Sequence, residues 1–225
     1  IRVSYVWDRD QNNMIAKVLN AWPNEIVCNN FEDDQDDSWT DHGEQDTHSY
    51  TGKYSRLIEA NDEIITYGPE HIMSLNGGRI RGTFRFSCQV RTGPTTMPNP
   101  TNTATITLST VNSNGEVFPD PSTVGGVNYK SVNCGTGDGE WSYCEVEIDL
   151  DEVYQAVEDI ESLSLKAQVL NPVSNLHLFV DDLRLLPSDA QMTSFTHEPL
   201  LGITSVSDEN SNATHYRYDN FGRLD

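Results

Sequence analysis

Residues 83–92 read TFRFSCQVRT. Successive side chains of an extended chain point to opposite faces, so Phe84, Phe86, Cys88 and Val90 line one side while Arg85, Ser87, Gln89 and Arg91 line the other. That alternation marks a strand with one face in a core and one toward water. The same period returns in ATITLSTV (104–111), YKSVNCG (129–135), YCEVEIDL (143–150) and LHLFVDDLRLL (176–186). Between these runs lie connectors dense in Gly, Pro, Asn and Asp: GPTTMPNPTN (93–102), NSNGEVFPDPSTVGG (112–126) and GTGDGE (135–140). Strands separated by turns, with almost no helix between them, predict an all-β, antiparallel sandwich rather than a parallel sheet with helical crossovers.

One segment breaks the period. In LDEVYQAVEDIESL (150–163), Val153, Val157 and Ile160 recur at helical spacing, and a short surface helix over one end of the sandwich is expected. DDQDDSWTDHGEQDTHSY (33–50) is acidic and aperiodic, and reads as a loop. At the N-terminus, VSYVW (3–7) and MIAKVL (14–19) read as two short strands joined by the polar turn DRDQNN. That turn is no EF-hand loop, because Asn13 stands where the sharp-turn glycine belongs and Leu19 where the bidentate acid belongs.

The 225 residues carry 35 acidic and 14 basic side chains, a formal charge of -21. A field of that sign repels phosphate backbones and anionic lipid, so nucleic acid is not an expected partner. Solubility accounts for such a charge, and clustered carboxylates are also what hard cations select. Mean hydropathy is -0.54, and no apolar run is long enough to cross a bilayer as a helix. The chain opens IRVSYVWDRD without an initiating Met, so it reads as a piece of something longer, and the lack of a leader says nothing about export. Cys28, Cys88, Cys134 and Cys144 show no zinc-like C-x-x-C spacing. Cys88 and Cys144 alternate in phase with core residues and point inward. Cys134 and Cys144 flank a turn that a disulfide could span, and buried free thiols are the alternative.

NNFEDD (29–34), HSYTGKYSRL (48–57) and FVDDLRL (179–185) resemble, in order and spacing, the landmarks of jelly-roll carbohydrate-binding modules of the galactose-binding-like type, over residues 23–187. The resemblance implies a structural calcium (Ca2+) tying the first strand to the last. Glu32 would supply the first acidic ligand, Lys53 a backbone carbonyl, Asp181 the closing carboxylate, and Asn30 a further carbonyl. It also implies a carbohydrate partner, which needs an exposed aromatic face flanked by polar groups. Trp39, Tyr50, Tyr67, Tyr129 and Trp141 are the candidates. Burial is expected of Trp39 and Trp141, and Tyr50 is favoured as the exposed ring.

The C-terminal stretch GITSVSDENSNATHYRYDNFGRLD (202–225) is similar to the start of a bacterial Rhs or YD-repeat region, with landmarks Gly202, Asp208, Tyr216, Tyr218, Asp219, Gly222, Arg223 and Leu224. It implies a hairpin of ITSVS with THYRY, then a tight turn over Asp219–Gly222. The expected organisation is therefore an N-terminal strand segment (1–22), a jelly-roll sandwich (23–187) and a first YD-repeat hairpin (188–225), within a large secreted or cell-surface protein whose remaining chain is a partner. No G-x-S-x-G, phosphate loop or isolated pair of acids appears, so a non-catalytic role is expected. The two candidate roles are glycan binding and a structural spacer, plug or cap of the repeat shell.

Overall fold

The computed structural model describes residues 1–33, 40–41, 44–68, 81–92, 103–135, 139–156, 163–172 and 177–225. Their strands form three antiparallel sheets. The N-terminal hairpin, β1 (Val3–Trp7) and β2 (Met14–Leu19), belongs to the third of these and is taken up below. One sandwich layer is centred on β13 (Leu178–Pro187), which pairs with β3 (Val27–Asn29), β6 (Ser55–Ile58) and β8 (Thr83–Thr92). It is extended by β5 (Glu44–Asp46) beside β6 and by β11 (Trp141–Asp149) beside β8. The facing layer runs in the order β10 (Tyr129–Cys134), β9 (Ala104–Val111), β12 (Ser164–Leu170), β7 (Glu63–Gly68), β4 (Thr40–Asp41). Together they make the antiparallel jelly-roll β-sandwich.

The alternation that predicted this architecture is what fills its core. In the β11–β8 ladder Cys144 lies opposite Cys88, Val146 opposite Phe86 and Ile148 opposite Phe84. All six are buried against Ile106, Leu108 and Leu165 of the facing layer, whereas Glu145 and Glu147 face water. Each large side chain so buried contributes about 1.5–3 kcal/mol. The predicted helix forms over α1 (Leu150–Ala156) and buries Leu150 and Val153. The Asp149 carboxylate caps it by accepting the Asp151 N–H at 2.8 Å. The rest of that expectation, 157–162, lies outside the described residues.

The two terminal segments differ from expectation. Rather than flanking the sandwich separately, 1–22 and 188–225 build one sheet, in the order β1, β2, β14 (Gln191–Glu198), β15 (Gly202–Ser207), β16 (Ala213–His215). The joint is the β2–β14 ladder, Val18 opposite Met192 and Ala16 opposite Ser194. Period-two patterning shows which residues face a core but not which distant strand supplies the neighbour. The predicted β1–β2 hairpin is present, and β15 pairs with β16 over Ser205–Ser207 and Ala213–His215, so Tyr216 and Tyr218 lie beyond the paired strand. A further turn over Asp219–Gly222 returns the chain so that Tyr218 bridges Leu224.

These three turns share one chemistry. Asp8, Asp208 and Asp219 each accept the N–H of the residue three ahead on their own carbonyl, and further N–H groups on their carboxylates. The residue three ahead is left-handed in every case: Gln11 (φ 56°), Ser211 (φ 57°) and Gly222 (φ 73°). Glycine is the residue that adopts this conformation without steric cost.

The third sheet lies on the back of the sandwich, and β13 is consequently buried on both faces. Leu186 packs with Ala16, Val18 and Met192. Beside them a β-bulge at Asp181–Arg184, with Asp182 left-handed at φ 50°, turns two charges into the interface. The Arg184 guanidinium pairs with Asp182 at 2.8 Å. It also donates to the Asp208 carbonyl (2.7 Å), Ser207 Oγ (2.7 Å) and Ser194 Oγ (3.1 Å). Asp182 in turn accepts the hydroxyls of Ser194, Ser207 and Ser211. Strand β13 of the sandwich and the terminal sheet are thus joined by a buried, hydrogen-bonded ion pair.

Candidate functional site

The residues implied as calcium ligands gather around one loop, 48–54, but by a different chemistry. The Asp181 carboxylate, fully buried, accepts the backbone N–H groups of Tyr50 (2.8 Å), Thr51 (2.7 Å) and Asp182 (2.7 Å). The Thr51 hydroxyl lies 3.3 Å from both of its oxygens. Glu32 accepts the N–H groups of Lys53 (2.7 Å) and Tyr54 (2.8 Å) on one oxygen. Asn30 donates its side-chain amide to the Phe195 carbonyl of the terminal sheet. Lys53 is therefore in place through its N–H.

A hard cation needs oxygen donors pointing at it. Around Asp181 the loop instead points hydrogen atoms at the carboxylate, an arrangement that suits an anion and does not fit a calcium shell. Among the described residues no three His, Cys, Asp or Glu side chains are grouped to hold a metal. Gly52 is required where this loop passes over Glu32. Its φ is +57°, and a Cβ there would lie 2.5 Å from Glu32 Oε1 and 2.9 Å from Thr196. Burial pushes the Glu32 and Asp181 carboxyls above their ordinary range, against the opposing pull of these N–H bonds.

The favoured aromatics do not form a sugar platform. Tyr50 is half-buried; its hydroxyl donates to the Ser211 carbonyl at 2.6 Å, and its ring packs 5.9 Å from Trp141. The Tyr50 hydroxyl fastens the sandwich to the turn after β15, and Trp141 backs the ring. Trp39 lies outside the described residues. Tyr129 is exposed but stands on the outer strand of the facing layer.

Exposed rings converge elsewhere. A groove of about 1460 Å³ runs between the sandwich and the terminal sheet. The β1–β2 turn and the β14–β15 turn form one wall, and the ends of β3 and β7 the other. Trp7 and Tyr67 line it and are 50% and 44% exposed. Trp7 continues the exposed face of β1 set by Val3 and Tyr5, and the bulge opposite it, with Ile15 as the extra residue, lies in β2. Tyr67 is brought there because β7 ends at Gly68, where a Cβ would meet Val27 of β3 at 2.5 Å. Polar groups surround the rings: Asp10, Asn13, Asn24, Asp33, His197 and Glu198. Burial holds the His197 imidazole below its ordinary range although Asp8 opposes this, so the groove carries little positive charge beyond Arg9. Tyr67 was among the sequence candidates, but Trp7 was not. Its signal was an aromatic at the end of an alternating strand, followed at once by a polar turn.

The sequence matches no protein-family profile and no curated protein. Several solved structures are similar to it at low identity. The CBM22-1 xylan-binding domain from Paenibacillus barcinonensis is 14% identical, over 71% of this chain and 92% of its own, with a TM-score of 0.44. A family 35 carbohydrate binding module from Clostridium thermocellum is 11% identical, over 84% of this chain and 100% of its own, with a TM-score of 0.36. A family 11 module from the same organism, in complex with a β-1,3-1,4-mixed-linked tetrasaccharide, is 10% identical over 72% and 95%, with a TM-score of 0.37.

Proposed function

We propose that this chain is a non-catalytic glycan-binding module whose ligand lies in the groove between the sandwich and the terminal sheet. The observation that carries this is the pair of exposed rings, Trp7 and Tyr67, in one cleft edged by amides and carboxylates. Pyranose rings present C–H patches that pack on aromatic faces while their hydroxyls take polar partners. The wall of carboxylates opposes uronate or sulfate, so a neutral polysaccharide is the expected class. Groove carboxylates are in part committed to backbone: Asp8 accepts the N–H groups of Asn12 and Asn13, and Glu32 those of Lys53 and Tyr54. Electrophoresis through gels containing neutral polysaccharides tests the reading. Retardation by at least one polymer, lost in Trp7→Ala, supports it; unchanged mobility in every polymer overturns it.

The same proposal places the module in an exported Rhs or YD-repeat protein, on the strength of the Y-x-Y-D-x-x-G-R-L landmarks and the turn they form at Asp219–Gly222. A second role, connecting the sandwich to whatever follows it, is favoured by the buried Arg184 pair, which reaches from β13 to the Asp208 carbonyl. The two roles are compatible. Fastening of loop 48–54 is assigned here to carboxylate–amide bonds and not to calcium.

A further inference from the structure

Three of the four cysteines meet inside the sandwich. Cys144 of β11 lies directly opposite Cys88 of β8, and Cys134, the last residue of β10, reaches in from the facing layer. All three are buried free thiols. Cys134 and Cys144 neighbour each other in one buried cluster, where the Cys144 thiol donates to the Ser142 carbonyl at 3.7 Å. Their strands are the outer strands of two different sheets: β10 is laddered to β9 and β11 to β8. The expected turn between Cys134 and Cys144 is therefore a crossing from one layer to the other, and a bond between the two sulfurs would join the layers covalently.

We propose that Cys134 and Cys144 are a disulfide-forming pair, closed by exchange with a low-molecular-weight disulfide such as glutathione disulfide. Bridging requires two sulfurs brought together with their backbones already fixed, which the thiol–thiol contact supplies. The order of attack follows from their surroundings. The neighbouring Cys144 holds the Cys134 thiol below its ordinary pKa, and the same contact with burial pushes Cys144 up. The thiolate is the nucleophile, so Cys134 attacks first.

The Cys134 thiolate displaces one glutathione thiolate from glutathione disulfide and forms a mixed disulfide. Cys144 then gives up its proton and attacks the Cys134 sulfur, releasing the second glutathione thiolate. Two protein thiols are oxidised, one glutathione disulfide is reduced to two glutathiones, and both protons end on the released thiols. Cys134 is 7% exposed, and the five residues before it in β10 are exposed, so the reagent approaches from this edge. Cys88 is fully buried and its thiol is pushed well up by burial. Cys28 packs with the other core, against the terminal sheet.

The test uses the whole chain, reduced, desalted and equilibrated with glutathione disulfide, then unfolded, alkylated and mapped by mass spectrometry. The expected result is a loss of two hydrogens, one cross-linked peptide joining Cys134 to Cys144, and alkyl label on Cys28 and Cys88. Cys134→Ser should abolish the mass change. Four alkylated thiols, a bridge that includes Cys88, or a glutathione adduct that never resolves would each overturn the proposal.

Discussion

Replacing Arg184 by Met tests whether the sandwich and the terminal sheet are one cooperative unit. Met keeps the apolar stem but removes the guanidinium, which is 3% exposed and is paired with an Asp182 that is 2% exposed. Breaking a buried ion pair by deleting one partner costs about 3–5 kcal/mol, because the remaining charge stays buried. The Ser194, Ser207 and Ser211 hydroxyls stay on Asp182 and soften the loss. The Asp208 carbonyl loses the guanidinium but keeps the Ser211 N–H, so it adds little to the cost. For a chain of this length each kcal/mol moves the melting midpoint by about 2–4 °C, so Arg184→Met should melt roughly 6–20 °C lower. Circular dichroism and calorimetry read this directly. Asp182→Asn should cost less when combined with Arg184→Met than it does alone, since the two side chains share one network. A midpoint within about 2 °C of wild type would refute the claim that this pair holds the sheets together.

Three further outcomes concern the loop over Glu32 and Asp181. Glu32 has its folded pKa raised above the unfolded 4.5 by burial, so its contribution is fully present below pH 4.5 and declines as pH rises through the folded value. Urea titrations of Glu32→Gln should lack this decline, and parallel pH profiles for the two proteins would contradict it. Gly52→Ala should lower stability by more than about 1 kcal/mol, because φ is +57° and the added Cβ meets Glu32 at 2.5 Å; an unchanged urea midpoint would show that the loop gives way freely. Melting with and without a calcium chelator should coincide, since N–H groups occupy Asp181. A drop on chelation would restore the ion.

The sandwich was legible because its strands have one apolar face: Phe84, Phe86, Cys88 and Val90 all went where alternation put them. β13 was less so. LFVDDLRLLP carries Asp181, Asp182 and Arg184 on what reads as a half-polar strand, yet all three are buried, because the bulge and the terminal sheet supply partners that no local pattern reveals. For the same reason the pairing of β2 with β14, strands from opposite ends of the chain, was out of reach. The landmarks around 29–34, 48–57 and 179–185 did converge in space, but a carboxylate that binds amides and one that binds a cation look alike in sequence. The rings that line the groove followed the same rule. Tyr67 could be named as an aromatic candidate, whereas Trp7 becomes a groove residue only once the two chain ends meet.

Affinity for a neutral polysaccharide, measured side by side for the wild type, Trp7→Ala, Tyr67→Ala and Tyr129→Ala, is the most direct test of the proposal that the groove binds a glycan. Binding should fall at least tenfold in the first two variants, as expected from losing a ring worth about 1.4 kcal/mol or more, and stay unchanged in Tyr129→Ala, whose ring is exposed on the outer strand of the facing layer and does not line the groove. Equal affinity across all four proteins, or loss only in Tyr129→Ala, would place the ligand elsewhere and contradict the account.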